Sequence, residues 1–294
     1  MSLRLLAMTL IDQIIRIVRT RQRRGARFAE LSPHNLAVLG MRRAPTPSIP
    51  APNIPPPPQV AQPQAILPQQ AVPPQPPVTP SAPPPALFPP PPDVSNADWN
   101  ELCQACHACQ SCALCATRHN VVVEDGCHTA PLMFIGEGPG ADEDAQGVPF
   151  VGRAGRMLTR MIDAMGRDRA SADPAKAVYI ANIVKCRPPG NRNPAPEEAQ
   201  ACIGFLHRQI ALVQPKVIVL LGNIALRFLT GRSGIMGARG KWIEVQGIPT
   251  MPTFHPSYVI RFEHDARQFH DVKLQVWKDL QLVMQRLAEN PSQG

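Results

Sequence analysis

Five cysteines, Cys103, Cys106, Cys109, Cys112 and Cys115, recur at every third residue, and Cys186 and Cys202 follow far downstream. Thiolates in such a run are soft ligands, suited to an iron–sulfur cluster or to zinc. Two ligands from the run and two from the distant pair would staple the start of a domain to its interior. Spacing does not separate the two metals, and Cys103, Cys106, Cys115 and Cys127 each also fit a buried small hydrophobe or a spare thiol. A second set of groups sits at the ends of apolar runs: the turn Gly136-Glu137-Gly138-Pro139-Gly140, Glu143 just after it, Asn182, Gly222 and His255. Carboxylates, an amide and an imidazole are side chains suited to proton transfer and to directed hydrogen bonding of a ligand.

The elements that would position these groups alternate along the chain from about residue 97. Leu132 to Ile135, Ala177 to Ala181, Val217 to Leu221 and Ile248 to Phe254 are short apolar runs. Helical spacing separates them: Met157, Leu158, Met161, Ile162 and Met165 in one stretch, Ile203, Leu206, Ile210 and Val213 in another. Pro196-Glu197-Glu198 has the form of a helix start, with proline in the first turn and acids at the positive end of the dipole. Strand, helix, strand, helix in this rhythm predicts an α/β fold, a three-layer α/β/α sandwich around a central four-stranded, mainly parallel sheet. In such folds functional groups gather where strands end at their carboxyl edge, and those ends are Gly136-Glu137, Asn182, Gly222 and His255.

Composition divides the rest. Of 36 prolines, 22 fall between Ala44 and Pro92, a stretch without Lys or Arg. It cannot offset its chain entropy by burial, so residues 44–96 are expected to form a disordered, proline-rich linker. Ahead of it lies a basic arm, residues 1–43, with helical potential. Residues 1–95 hold nine arginines against three acids, +6 of the chain's +8, leaving only +2 for the folded block. Net charge therefore does not mark that block as a nucleic-acid binder. No apolar run approaches the roughly 20 residues needed to span a bilayer, and the run near Leu5 is broken by Asp12 and lacks a cleavage site. The chain reads as cytoplasmic, which favours metal ligation over disulfides for its thiols.

Three long segments, GEGPGADEDAQGVPFVGRAGRML, NIVKCRPPGNRNP and HPSYVIR, together with CQSCALCATRHNVV, resemble the signature segments of the family 4, iron–sulfur uracil-DNA glycosylases, in the same order. The resemblance spans about residues 105 to 285. It implies a glycosylase domain over 97–294, with a [4Fe-4S] cluster held by Cys109, Cys112, Cys186 and Cys202. The surplus cysteines leave Cys106 with Cys109 as a competing pair, and Val123-Glu124-Asp125-Gly126-Cys127 departs from the Gly-Glu-Gly usual there.

The same resemblance implies uracil-containing DNA as partner, a monomer, and hydrolysis of the N-glycosidic bond of a base flipped from the duplex, the first step of base excision repair. Phe150 is the implied stacking residue, although a Phe after Pro is commonly core. Asn182 is implied to read the O4 and N3–H edge, which an amide matches and cytosine does not. His255 would donate toward O2, with main-chain N–H groups around Gly138 as further donors. The resemblance implies a catalytic carboxylate in this loop, and either Glu137 or Glu143 fits orientation of the attacking water or opposition to the sugar's charge; the favoured division gives water and sugar to Glu137 and has Glu143 shape the pocket against thymine's methyl. Lys185, Arg187, Arg192, Ser257, Tyr258 and Arg261 are the expected DNA contacts, with Tyr258, Val259 and Ile260 as wedge candidates. The linker or the arm remains free to engage a protein partner.

Overall fold

The computed structural model describes residues 88–289, so the expectations for the basic arm and for most of the proline-rich linker lie outside the described residues. Helix α1 (Trp99–Ala108) is followed by strand β1 (Asp125–Gly126), β2 (Leu132–Gly136), α2 (Ala141–Gln146), α3 (Arg153–Ala164) and β3 (Tyr179–Asn182). Then come α4 (Pro196–Val213), β4 (Val217–Leu221), α5 (Gly222–Thr230), α6 (Ile235–Ala238), β5 (Ile243–Val245), β6 (Ile248–Thr253), α7 (Pro256–Ile260) and α8 (Ala266–Glu289).

The strands form one six-stranded sheet in the order β1-β3-β2-β4-β6-β5. Its four central members are parallel, as expected, and every residue of β2, β3 and β4 is buried. Burial on both faces explains why these strands read as unbroken apolar runs. The addition to the expected sheet is a short antiparallel strand at each edge, β1 on β3 and β5 on β6.

Two cores cover the sheet. Met133, Ile135, Tyr179, Ala181, Ile218 and Leu220 point to the face packed by α1, α4 and α5. Their strand neighbours Leu132, Phe134, Ile180, Val219, Leu221 and Met251 meet α3, α7 and α8. The period-two alternation of the strands thus assigns each apolar side chain to one layer. No described helix is long and apolar enough to cross a membrane.

Register sets the positions of the chemistry. Gly136 pairs with Asn182, and Leu221 with Thr253, so the carboxyl ends of all four parallel strands lie at one edge. There β2 runs into the glycine turn, β3 ends on Asn182, β4 ends beside Gly222, and β6 leads to His255, the N-cap of α7.

Candidate active site

A cavity of about 350 Å³ opens at this edge, and Glu137, Gly138, Glu143, Phe150, Asn182 and His255 all line it. Strand ends β2, β3 and β6 line it directly, and β4 contributes through Gly222, which packs against His255.

Phe150 occupies the left-handed region, φ 55°. That conformation is uncommon for a bulky residue and is held only when surroundings over-determine it. The clamp is Arg169, whose guanidinium donates to the carbonyls of Pro149 and Phe150, both at 2.8 Å, while pairing with Asp125 at 2.7 Å. The Phe150 ring lies 5.7 Å from that of His255, tilted by 35°. Replacement Arg169→Met is expected to destabilise the fold by about 3 kcal/mol, the scale of breaking a largely buried ion pair and its hydrogen bonds. Urea denaturation measures it, and a loss under about 1 kcal/mol would refute the clamp.

Asn182 is 1% exposed and its Oδ1 is buried without a hydrogen-bond partner. An unpaired buried acceptor costs about 1–3 kcal/mol, so a ligand N–H at this place would recover that cost. The neighbouring Gly136 is required: a Cβ there would come within 2.5 Å of both Asn182 Oδ1 and Phe150 Cζ.

His255 Nδ1 accepts the Ser257 main-chain N–H at 3.1 Å and lies 2.7 Å from Ser257 Oγ. Because a main-chain N–H can only donate, Nδ1 is unprotonated and the ring proton resides on Nε2. Burial, aided by the Arg261 charge, pushes the imidazole down to about 4, so the ring is neutral near pH 7. Gly222, with φ 88°, lets the backbone at His255 approach, since a Cβ at 222 would sit 2.9 Å from the His255 Cβ. Glu137 carries the opposite perturbation: burial raises its carboxyl from 4.5 to about 7.

On the other side of β3, Cys106, Cys109, Cys112, Cys115, Cys186 and Cys202 line a second, smaller cavity with Arg118 and Lys185. The Arg118 guanidinium donates to Cys186 Sγ at 3.2 Å and the Lys185 main-chain N–H to Cys202 Sγ at 3.4 Å. Such donors stabilise sulfur in its thiolate form. Burial acts the other way and pushes the thiols up, Cys202 to about 12 and Cys112, Cys186 and Cys106 in the same direction. Among the described residues no three Cys, His, Asp or Glu side chains gather as a single bound ion would require. The thiols surround the cavity rather than converge on a point.

The model of the uracil DNA glycosylase superfamily matches residues 123–281, which include every cleft residue named above. The chain belongs to the uracil-DNA glycosylase superfamily. It is 48% identical over 147 residues to a Type-4 uracil-DNA glycosylase of Thermotoga maritima, covering 49% of this chain and 73% of the relative. Identity to the Type-4 uracil-DNA glycosylase of Archaeoglobus fulgidus is 39% over 153 residues, covering 49% and 74%. For that of Sulfurisphaera tokodaii it is 41% over 150 residues, covering 48% and 66%.

Within this glycosylase domain several expected contacts lie elsewhere than expected. Lys185, expected at DNA phosphates, is 1% exposed, its Nζ bound to Asn182 O at 2.8 Å and Gln209 Oε1 at 2.6 Å. It cannot reach a phosphate. Glu143 spends both carboxylate oxygens on the main-chain N–H groups of Gly140, Val151 and Gly152, at 2.8–3.0 Å. It hitches the glycine turn to the Phe150 loop from a place in the cavity wall. Val259 is core, and Tyr258 is held between Phe254 and Phe262 with ring centroids 4.7 and 5.2 Å away. Of the three wedge candidates, these two are thus engaged by the protein itself.

Arg192 and Arg261 line the cleft, Arg192 in a bidentate pair with Glu198 at 2.8 and 2.7 Å. Arg187 donates to Asn191 Oδ1 at 2.7 Å. Ser257 lines the cleft too, with its polar groups committed to His255. Arg169, Arg118 and Gln209 carry structural duties at the two cavities, and of the three only Arg118 lies in a segment singled out from the sequence, CQSCALCATRHNVV. Each acts on a partner 19 to 86 residues away.

Proposed function

We infer that this chain is a uracil-DNA glycosylase that flips uracil from DNA and hydrolyses its N-glycosidic bond, leaving an abasic site for base excision repair. The observation that carries the reading is the orphaned, buried Asn182 Oδ1 beside the Phe150 ring. A uracil stacked on Phe150 would place N3–H against that oxygen and O4 against the Asn182 amide N–H. Cytosine, with an acceptor at N3 and a donor at N4, would meet like against like.

As the C1′–N1 bond breaks, its electron pair moves onto the pyrimidine, chiefly toward O2, and positive charge grows on the sugar. His255 Nε2–H donates to O2 as a neutral imidazole and needs no proton transfer to do so. Main-chain N–H groups of the Gly136–Gly140 turn add donors. Glu137, as the anion, opposes the sugar's charge and takes up a proton from the water that attacks C1′. Phosphate contacts fall to Arg192 and Arg261, which line the cleft with Ser257, and to Arg187, which holds Asn191 of the same lining.

Cys109, Cys112, Cys186 and Cys202 would hold a [4Fe-4S] cluster: an all-thiol donor set with Arg118 and a main-chain N–H already directed at sulfur suits one. When bound, the cluster supplies a structural brace between the start of the domain, β3 and α4. Residues 97–294 form the glycosylase domain, acting as a monomer in the cytoplasm.

The test is release of free uracil from a labelled oligonucleotide, read by mass spectrometry, with the strand left intact until alkali cleaves it. Absence of released uracil from protein loaded with iron would sink the assignment. For the cluster, Cys202→Ser and Cys109→Ser are each expected to lose most bound iron and the visible thiolate–iron absorbance, and to lower the melting temperature. Full iron retention in both variants would transfer the ligand role to Cys106 or Cys115.

A further inference from the structure

Lys185 is buried, 1% exposed, and a polar head in that position persists only where acceptors satisfy its N–H groups. Its side chain donates to the main-chain oxygen of Asn182 at 2.8 Å and to Gln209 Oε1 at 2.6 Å. Gln209 is fixed in turn by donating to Val123 O at 3.0 Å. The main-chain N–H of the same lysine donates to Cys202 Sγ at 3.4 Å, and Lys185 lines the thiol cavity beside Cys106, Cys186 and Cys202. One residue therefore touches the base-reading strand end with its side-chain nitrogen and the sulfur cavity with its backbone.

We propose that Lys185 is a positioning residue for uracil recognition, bracing Asn182 from the sulfur side of β3 so that the amide meets the base edge at a fixed depth. The inference rests on the reading of Asn182 given above. The two bonds of the Lys185 side chain keep the last residue of β3 from sliding relative to Gly136. Gln209 is the second anchor of the brace, and its own bond to Val123 ties the arrangement to the segment before β1.

A double-mutant cycle on the full, iron-loaded chain tests it, with Lys185→Met, Asn182→Ala, the pair together, and single-turnover uracil release as the readout. Lys185→Met keeps the backbone N–H to Cys202 and so should retain iron. It is expected to cost about thirtyfold in the natural background, as misplacement of a positioning group does, and less than about threefold when Asn182 is already replaced by alanine. Gln209→Leu should give a smaller loss, about fivefold, that likewise disappears with Asn182→Ala. Equal losses in both backgrounds would overturn the proposal and reduce Lys185 to a general support of the fold. If Lys185→Met does not fold, the Gln209→Leu pair decides by the same criterion. Should Asn182→Ala itself release uracil nearly as fast as the unaltered chain, the base-edge assignment fails, and this inference falls with it.

Discussion

Asn182→Asp is expected to cost about a thousandfold in uracil release at pH 8, with the deficit relative to the unaltered enzyme shrinking as pH falls. The substitution is nearly isosteric, so packing beside Gly136 and Phe150 survives. What changes is the hydrogen-bond pattern. An ionised carboxylate offers only acceptors, one of which would face uracil O4, and a buried anion adds a desolvation cost. Burial also raises the new carboxyl above its ordinary value near 4. Once protonated it has one O–H donor and one carbonyl acceptor, the same arrangement as the amide. The ratio of variant to natural rate must therefore climb toward acid pH, and single-turnover assays at several pH values measure it. A ratio that stays flat with pH, or a loss below about tenfold, would exclude Asn182 as reader of the base edge.

Glu137→Gln is the second large effect. In the natural enzyme the carboxyl titrates near 7 because burial disfavours its anion. The anion is the form that can accept a proton from water and face the sugar's charge, so the rate should rise with pH and level off above about 7. The neutral amide should lower the rate by about a hundred- to a thousandfold and abolish this rise.

Stability moves the other way. The folded carboxyl lies above its ordinary 4.5, so the stability associated with its proton is present below 4.5 and lost as pH climbs through about 7. Glu137→Gln should therefore raise the melting temperature more at pH 8 than at pH 5. An unchanged pH–rate profile in this variant would end the assignment. The two profiles separate the roles. The absolute rate of Asn182→Asp should pass through a maximum, because protonation of the introduced carboxyl helps while protonation of Glu137 hinders. The rate of Glu137→Gln should stay level across the same range.

Much of this arrangement could be read from the chain because parallel strands buried on both faces must be continuous apolar runs. Each such run here stops on a residue of distinct chemistry: Gly136, Asn182, Leu221 before Gly222, Thr253 before His255. Edge strands β1 and β5 were invisible for the opposite reason, since two or three residues show no period. Side-chain partners chosen across long sequence separations were equally hidden. Lys185 sits in a basic-looking segment and reads as a phosphate contact until Gln209, 24 residues on, is found beside it. Glu143 reads as a second candidate acid, and nothing in its local spacing announces the three main-chain N–H groups that its oxygens accept. Tyr258 follows the same pattern, because an aromatic after His-Pro-Ser gives no warning that Phe254 and Phe262 flank it.

The antiparallel strips that border the sheet also bear on how the protein behaves at high concentration. With β1 two residues long and β5 three, each border presents few unpaired N–H and C=O groups to a neighbouring molecule. The long, greasy strands that would template intermolecular ladders are shielded in the middle of the sheet. Concentrated preparations should therefore resist strand-to-strand association, and lengthening either border by a few β-branched residues would be the quickest way to bring it about.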